Sequence, residues 1–251
     1  MIRISFLLLF LISISLNAQN NAVGAGEKLT YTASYNMSGI LTDLAEVTME
    51  TSAVKTSKAT LLRLKCKATT YSKWDSFFKI RDLYESYVNP NTLKPYLYNR
   101  DINEGGYYKN VKYTFSHKTK TVKTVQKKKS GWEQKKTVSI GSDTKDIIST
   151  LYTIRTFDFN NLSSGTNKIF TILFDREEVK ARVTYLGKET ISTALGRKAC
   201  YKIALGSASS NTVSGTLWLT ADENKIPVYG KFKIPVGTGE LKIKSASGLK
   251  N

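Results

Sequence analysis

Residues 27–35 read Glu-Lys-Leu-Thr-Tyr-Thr-Ala-Ser-Tyr, and the pattern of this stretch recurs along the whole chain. Leu29, Tyr31, Ala33 and Tyr35 alternate with polar residues, which is the period of a strand with one buried face. The same alternation returns at 45–49, 62–68, 111–115, 168–174, 179–186, 199–205, 213–220, 227–234 and 240–244. It predicts a mainly β protein with about a dozen strands.

Short turn sequences separate these segments, among them Ser38-Gly39, Glu104-Gly105-Gly106 and Ser130-Gly131. Short links join neighbouring strands in antiparallel order, so we expect one curled antiparallel sheet or a closed β-barrel-like domain. The chain has no long linker rich in Pro, Gly or Ser. Residues 19–251 are therefore predicted to form a single β-rich domain.

One segment, residues 143–157, breaks the two-residue period. Its apolar side chains have helical spacing: Ile147, Leu151 and Ile154, with Ile148, Tyr152 and Arg155 on the adjoining stripe. Ser142 or Asp143 is suited to cap the start. The pattern predicts one amphipathic helix that packs on the sheet or plugs one end of it, and a second, weaker helical turn is predicted at 74–78.

The N-terminus combines Arg3, an apolar run over residues 4–16, and Ala18 before Gln19. The run is 13 residues long, shorter than the roughly 20 that cross a bilayer as a helix. It is typical of a signal-peptide core, the alternative being a retained membrane anchor. We predict a cleaved signal peptide at residues 1–18, export to the periplasm, and no transmembrane segment in the mature chain.

The two cysteines, Cys66 and Cys200, are the candidates for a disulfide in an exported protein. Strand phase puts Cys66 on an apolar face with Leu64, whereas Cys200 shares a face with Lys202. A disulfide needs Cβ atoms roughly 4 Å apart, so we expect the two cysteines not to pair. A catalytic cysteine is also not expected, because His117 is the only imidazole in the chain.

The net charge of +18 is concentrated in one region. Residues 109–136 contain ten lysines and one glutamate, and so carry +9. The chain has 30 Lys against 8 Arg, and lysine supplies diffuse charge, whereas contacts to bases and phosphates favour arginine. With export as the second reason, nucleic acid is not a predicted partner.

This basic segment has two interpretations. It could attract an anionic envelope polymer, lipopolysaccharide or anionic lipid headgroups, or its lysines could protect exposed strand edges from aggregation. The candidate anionic-surface patch consists of Lys123, Lys127, Lys128, Lys129, Lys135 and Lys136.

Five short motifs follow one another in order along the chain. They are Gly26-Glu27 with Leu29 and Tyr31; Asp82 with Tyr84 and Glu85 ahead of a strand containing Pro95; Asp146, Ser149, Tyr152 and Arg155; Gly196 before Cys200; and Trp218, Asp222 and Pro227. In these motifs the chain resembles exported bacterial proteins of the DUF3108 family, a domain of unknown function. The resemblance implies a predominantly β envelope protein and transfers no catalytic residue.

Arg155 is the most informative single residue, because a guanidinium beside an apolar helix stripe must find a partner. That partner is either a carboxylate of the fold, with Glu27 and Asp82 as candidates, or the carboxylate or phosphate of a ligand. The candidate ligand-binding residues are Tyr152, Arg155 and Trp218. Aromatic residues on the alternating apolar faces are otherwise expected in the core.

Most catalytic chemistries have little support in this sequence. A single histidine cannot build a multi-His metal centre, and His117 beside Lys118 at a turn is predicted to be a solvated loop residue. Asp75, Asp82, Glu85, Asp101 and Glu104 are dense enough for a glycosidase pair, but the sequence does not place two of them across a cleft. We predict no catalytic residue, metal or cofactor, and a protein that is not an enzyme.

Three functions remain. The leading hypothesis is a periplasmic binding protein that shields a lipid or glycolipid inside a β-barrel-like fold. The alternative is an envelope structural or assembly factor that binds another protein through a sheet edge, and the third is an exported hydrolase. An apolar cavity favours the first hypothesis, a filled interior with an exposed apolar edge the second, and acidic residues facing a wet cleft the third.

Overall fold

The computed structural model describes residues 20–37, 40–234 and 237–251, and the strands in this part of the chain form one antiparallel sheet. The strands are β1 Lys28–Met37, β2 Ile40–Lys55, β3 Thr60–Thr70, β4 Arg81–Val88, β5 Pro95–Glu104, β6 Tyr107–Ser116, β7 Thr121–Lys128, β8 Glu133–Ser139, β9 Asn167–Phe174, β10 Glu177–Thr193, β11 Gly196–Ser207, β12 Val213–Thr220, β13 Pro227–Ile234 and β14 Gly237–Ser247. The mainly β, barrel-like prediction is confirmed, with fourteen described strands where about a dozen were expected.

Each strand pairs with its sequence neighbours, and β1 also pairs with β14, so the first and last strands lie in the middle of the sheet. The two edges are β8 and β9, which are not paired with each other, and the sheet is therefore curled but not closed. The β9–β10 turn reaches across to the opposite wall. There Asp175 forms ion pairs with Arg100 on β5 and Lys109 on β6.

A single α-helix in the described residues, α1 Ile147–Ile154, lies in the connection between the two sheet edges. The prediction of a helix at 143–157 is correct in kind but wrong in its bounds. Lys145 forms a parallel bridge with Ile172 of β9, so the chain before Asp146 is extended and cannot be helical. After Ile154 the helix tightens, because the amide of Arg155 bonds the carbonyl three residues back at 3.2 Å.

The N-cap of α1 is Asp146, not the predicted Ser142 or Asp143. Its carboxylate accepts from the amide of Ser149 at 2.8 Å, and the Ser149 hydroxyl accepts from the amide of Asp146 at 3.2 Å. This reciprocal capping box satisfies two amides at the helix start.

Helix α1 packs against both hydrophobic core clusters, whereas an amphipathic surface helix buries one face only. Ile147, at the head of the predicted apolar stripe, is 40% exposed, whereas Ile148 and Tyr152 are buried in the larger core cluster. Ile154 belongs to a second, smaller cluster, and Leu151 packs against both. The helix thus links the two cores.

Strand β11 is covered on both faces, which overturns the predicted polar setting of Cys200. Cys200 is fully buried in the larger cluster, and its neighbour Tyr201 is buried in the smaller one. Alternation therefore gives no polar face here, and the phase argument for Cys200 was wrong. Both cysteines are free thiols in the structure.

The second helical turn begins earlier than predicted. A short 3₁₀ helix, Ser72–Trp74, precedes a turn in which the amide of Phe78 bonds the carbonyl of Trp74 at 2.9 Å. The predicted signal peptide at residues 1–18 lies outside the described residues. Within the described ranges, no helix has both the length and the apolar character needed to span a bilayer.

Candidate functional site

A buried ion pair lies at the centre of the molecule, between the end of α1 and the start of β1. Arg155 donates from Nη1 to Glu27 Oε1 at 2.7 Å and from Nη2 to Glu27 Oε2 at 2.6 Å. Its Nε donates to the carbonyl of Asn224 at 3.0 Å, and Nη2 also reaches the carbonyl of Ala22 at 3.4 Å. Both side chains are almost completely excluded from solvent.

All three nitrogens of Arg155 thus donate to acceptors of the fold. This is the first of the two alternatives for this residue, an ion pair within the protein, with Glu27 as the carboxylate. A ligand anion could be held by Arg155 only at the expense of a buried bidentate pair.

Two tyrosines lie beside this pair. The guanidinium of Arg155 lies over the ring of Tyr152, 5.2 Å from its centroid, and Tyr31 donates its hydroxyl to the carbonyl of Pro227 at 2.9 Å. Burial raises the pKa of both phenols well above the usual value. The Tyr152 hydroxyl has no hydrogen-bond partner among the described residues.

The third predicted ligand residue, Trp218, lies elsewhere, on a different wall. Pairing register places Lys202, Trp218, Tyr229 and Lys242 side by side on β11, β12, β13 and β14. The Trp218 ring packs on Tyr229 with centroids 4.8 Å apart and lies under the ammonium of Lys202 at 5.1 Å, while its indole N–H donates to Glu189. These contacts fix the orientation of the indole.

Trp218 lines a groove between the end of the β10–β11 hairpin and strands β12–β14. Its volume is about 470 Å³, and its exposed lining is mostly apolar. Its lining includes Ile191, Trp218, Val228, Tyr229, Lys242 and Ile243. Ligand pockets typically span roughly 300–1,000 Å³ and combine apolar walls with a few polar groups.

The predicted anionic-surface patch falls on β7, β8 and their connection, and all six of its lysines are exposed. Glu133 neutralises part of it, since it pairs with Lys127 at 2.8 Å and Lys135 at 3.1 Å. Because β8 is an open sheet edge, the same lysines are also placed to keep that edge from pairing with another strand. The position of the patch is compatible with both interpretations.

The five clustered carboxylates of the sequence analysis have different partners in the structure. Two of them are in ion pairs, Asp75 with Arg81 and Glu85 with Arg63. Asp82 and Glu104 are in hydrogen-bond contact.

Burial, together with the hydrogen bond to Asp82, raises the pKa of Glu104 to about 7 from an ordinary value of 4.5. The folded protein therefore holds a proton that the unfolded chain releases. Its contribution to stability is complete below pH 4.5 and is lost as the pH rises through 7.

We expect Glu104→Gln to flatten the pH dependence of stability in this window. Relative to wild type, the variant should gain stability between pH 4.5 and 7, as measured by urea midpoints across that range. Glu50→Gln is the control, because a hydrogen bond from Lys65 lowers the pKa of Glu50 and it titrates below the window. Parallel wild-type and Glu104→Gln curves would contradict the shared proton.

The remaining nucleophiles are poorly suited to catalysis. Burial raises the pKa of Cys66 to about 12 and that of Cys200 to about 11, so both are thiols at neutral pH. His117 is not the solvated loop residue that was predicted: its ring is half-buried, stacks on Phe115 and hydrogen-bonds the carbonyl of Pro95 at 2.6 Å. No three His, Cys, Asp or Glu side chains of the described residues group to hold a metal ion.

The family model for DUF3108, described as a protein of unknown function, matches residues 30–244. The chain belongs to the DUF3108 family. The resemblance inferred from the five motifs is thereby confirmed. A comparison with curated proteins found no match.

Two solved structures resemble this DUF3108 chain. One is a β-barrel-like protein of the domain of unknown function DUF1849 from Brucella abortus, with a TM-score of 0.57, 9% identity, and coverage of 89% of this chain and 97% of the other. The other is a Bacteroides fragilis protein with a YmcC-like fold, described as exported, with a TM-score of 0.31, 9% identity, and coverage of 89% and 96%. The first supports a shared β-barrel-like fold.

Three of the five motifs of this DUF3108 chain supply groups at the central ion pair. The first motif supplies Glu27 and Tyr31, the helix motif supplies Tyr152 and Arg155, and the Trp218–Pro227 hairpin supplies two carbonyl acceptors. Asp146 of the helix motif also binds the hydroxyl of Ser86 on β4 at 2.6 Å. These motifs hold the helix to the sheet.

The groove beside Trp218 was not predictable from the sequence. Its walls come from β10, β12, β13 and β14. No local sequence pattern predicts that residues of these four strands line one groove. The only available signal was Trp218 itself, a large aromatic residue in a strand that also carries Leu217 and Leu219 on the opposite face.

Proposed function

We propose that this DUF3108 chain is an exported, non-catalytic binding protein of the cell envelope that holds the acyl chain of an anionic lipid or glycolipid. The binding site is the groove beside Trp218. Export rests on the predicted signal peptide. The observation that carries the proposal is an apolar groove of about 470 Å³ with a fixed indole in its wall and a lysine in its lining.

The chemistry of the groove favours an amphiphile. Ile191, Val228 and Ile243 offer apolar contacts, and Trp218 and Tyr229 offer stacked rings on which an alkyl chain can lie. Lys242 provides a cation in the lining, with its side chain half-exposed and 3.2 Å from Glu240. The groove therefore suits one alkyl chain that ends in a carboxylate or phosphate.

The groove is a better place for a ligand than the interior of the curled sheet near α1, although Trp218, Val228 and Ile243 in its lining also belong to the larger core cluster. Much of the interior near α1 is occupied by large buried side chains, including Tyr31, Tyr113, Tyr152 and Arg155. The proposal thus keeps the lipid or glycolipid class of ligand and moves it from the interior near α1 to the groove beside Trp218.

Fatty-acid titration tests this function. Laurate, myristate and palmitate, each below its micelle concentration, should bind with affinities that rise about fourfold per methylene, since each buried CH₂ contributes roughly 0.8 kcal/mol. Trp218→Ala should weaken palmitate binding about tenfold or more, because it removes the central aromatic wall. Isothermal titration calorimetry measures both effects.

Two further variants make the result specific. Trp132→Ala removes an exposed tryptophan outside the groove and should bind palmitate like wild type. Lys242→Glu should weaken binding of the fatty acid but not of the corresponding alcohol. Absence of binding by wild type, or equal losses in the two tryptophan variants, would refute the proposal.

The assembly-factor alternative is favoured by one observation at strand β9. Strand β9 is an edge of the sheet, and the backbone of Lys145 covers only part of it, by hydrogen bonds with the backbone of Thr171 and Leu173. Nearer the start of the strand, Ile169 is 52% exposed. An extended segment of another protein could pair there. That function predicts no chain-length-dependent fatty-acid binding, so the same titration separates the two.

A further inference from the structure

Exposed apolar side chains collect at one end of the curled sheet. Phe77 is 87% exposed and Ile40 72%, and Leu41, Phe78, Tyr107 and Trp132 are also exposed. They lie in or next to every second connection of the first eight strands, namely β1–β2, β3–β4, β5–β6 and β7–β8. Because the strands alternate in direction, these four connections lie at the same end. We name these six residues the aromatic rim.

Direct contacts join the connections of the rim. The indole of Trp74 in the β3–β4 connection donates to the carbonyl of Asp43 on β2 at 2.8 Å. The amide of Gly105 in the β5–β6 turn bonds the carbonyl of Lys79 at 2.9 Å, and a side chain on Gly105 would clash with the ring of Phe78. Register then places Lys109 opposite Lys128, which brings Tyr107 next to the β7–β8 turn.

Lysines are interleaved with the rim. Residues 127–135 contain four lysines and one glutamate, and the ammonium of Lys128 lies 5.1 Å from the Trp132 ring. Lys73 lies over the ring of Trp74 at 5.6 Å, and Lys79 is exposed beside Phe78. Exposed aromatic rings with flanking lysines are the composition of protein surfaces that sit at a lipid–water interface.

The opposite end of the sheet has a different character. Among the described residues, the connections 56–59, 89–94, 117–120 and 194–195 contain no exposed large apolar side chain. Leu93, the largest apolar residue of the 89–94 loop, is fully buried. At this end Tyr96, the second residue of β5, is exposed. In the described part of strands β1–β8 and their connections, six of the seven exposed large apolar side chains therefore lie at the rim end, which favours docking by that end.

We propose that the aromatic rim docks this protein on an anionic lipid bilayer. Phe77, Phe78 and Ile40 enter the interface between headgroups and acyl chains, and Lys128 and Lys129 attract the anionic headgroups. Neither apolar tips nor a few lysines alone hold a protein firmly on a membrane, whereas the two together do. The rim is distinct from the groove, and its docking does not depend on a ligand there.

Vesicle flotation tests this surface, with protein purified from the envelope fraction. Wild type should float with phosphatidylcholine vesicles that contain phosphatidylglycerol, and only weakly with phosphatidylcholine alone or at high salt. Phe77→Ser/Phe78→Ser should bind the anionic vesicles about tenfold or more weakly. Lys128→Glu/Lys129→Glu should weaken binding by a similar or larger factor.

The matched control is Lys55→Glu/Lys58→Glu, which reverses two exposed lysines at the opposite end. It should bind nearly as well as wild type, and all variants should keep the wild-type urea midpoint because the altered side chains are exposed. If both charge-reversed variants lost vesicle binding equally, binding would depend on the net charge of the protein and not on the rim, and the proposal would be overturned. Full binding by the double serine variant, or equal wild-type binding to both vesicle types, would also overturn it.

Trp218→Ala separates this inference from the proposed function. It should bind anionic vesicles like wild type while losing affinity for palmitate. Loss of vesicle binding in that variant, with the fold intact, would mean that the groove and not the rim contacts lipid, and would overturn docking by the rim.

Discussion

Replacing Arg155 with methionine is expected to lower the free energy of unfolding by about 3–5 kcal/mol. The variant leaves the carboxylate of Glu27 buried without its cation, and it removes the donors that satisfy the carbonyls of Asn224 and Ala22. An isolated buried charge is costly because the interior offers no solvation in return. Urea unfolding at neutral pH measures the loss.

A surface pair provides the matched comparison. Arg63 binds Glu85 on the outside of the sheet, where about a third of its side chain is exposed, so Arg63→Met should cost less than about 1 kcal/mol. The double variant Glu27→Met/Arg155→Met should be much less destabilised than the two single variants predict together, because no charge remains buried. Similar losses in Arg155→Met and Arg63→Met would contradict a central role for the pair.

The same variant separates the two roles considered for Arg155. If the residue only holds the fold together, Arg155→Met binds palmitate as wild type does at temperatures where both are folded. Lost binding with an intact fold would restore Arg155 as a ligand anchor. The geometry favours the first outcome, since all three of its nitrogens already donate within the protein.

Most strands were predictable because a sheet with one buried face leaves its period in the sequence. Strands β12 and β13 begin and end where the alternation does. The period does not indicate which residues are buried where tertiary contacts cover both faces of a strand. At Cys200 both faces of β11 are covered, so a residue flanked by lysines is buried.

The site was predictable only where burial of a charge demands a partner. Arg155 beside an apolar stripe required a carboxylate, and Glu27 was one of two candidates. The groove and the aromatic rim could not be found in this way. Phe77, Tyr107 and Trp132 are isolated aromatic residues in the sequence, and only the alternating strand directions bring them to one end.

The start of the helix gives the sharpest test of sequence against structure. Asp146→Ala is expected to cost about 2–4 kcal/mol, since it removes the helix cap and leaves the hydroxyl of Ser86 buried without its acceptor. Asp143→Ala, at the cap position suggested by the sequence, should change stability by no more than about 0.5 kcal/mol, because its side chain is 85% exposed.

Asp146 matters beyond its own helix because its carboxylate joins α1, which lies in the connection between the two sheet edges, to β4. Ser86→Ala should recover part of the loss in an Asp146→Ala background, since no buried hydroxyl then lacks an acceptor. Urea midpoints of the four proteins in this cycle measure the coupling. A larger loss in Asp143→Ala than in Asp146→Ala would show instead that the helix starts where its apolar spacing suggests.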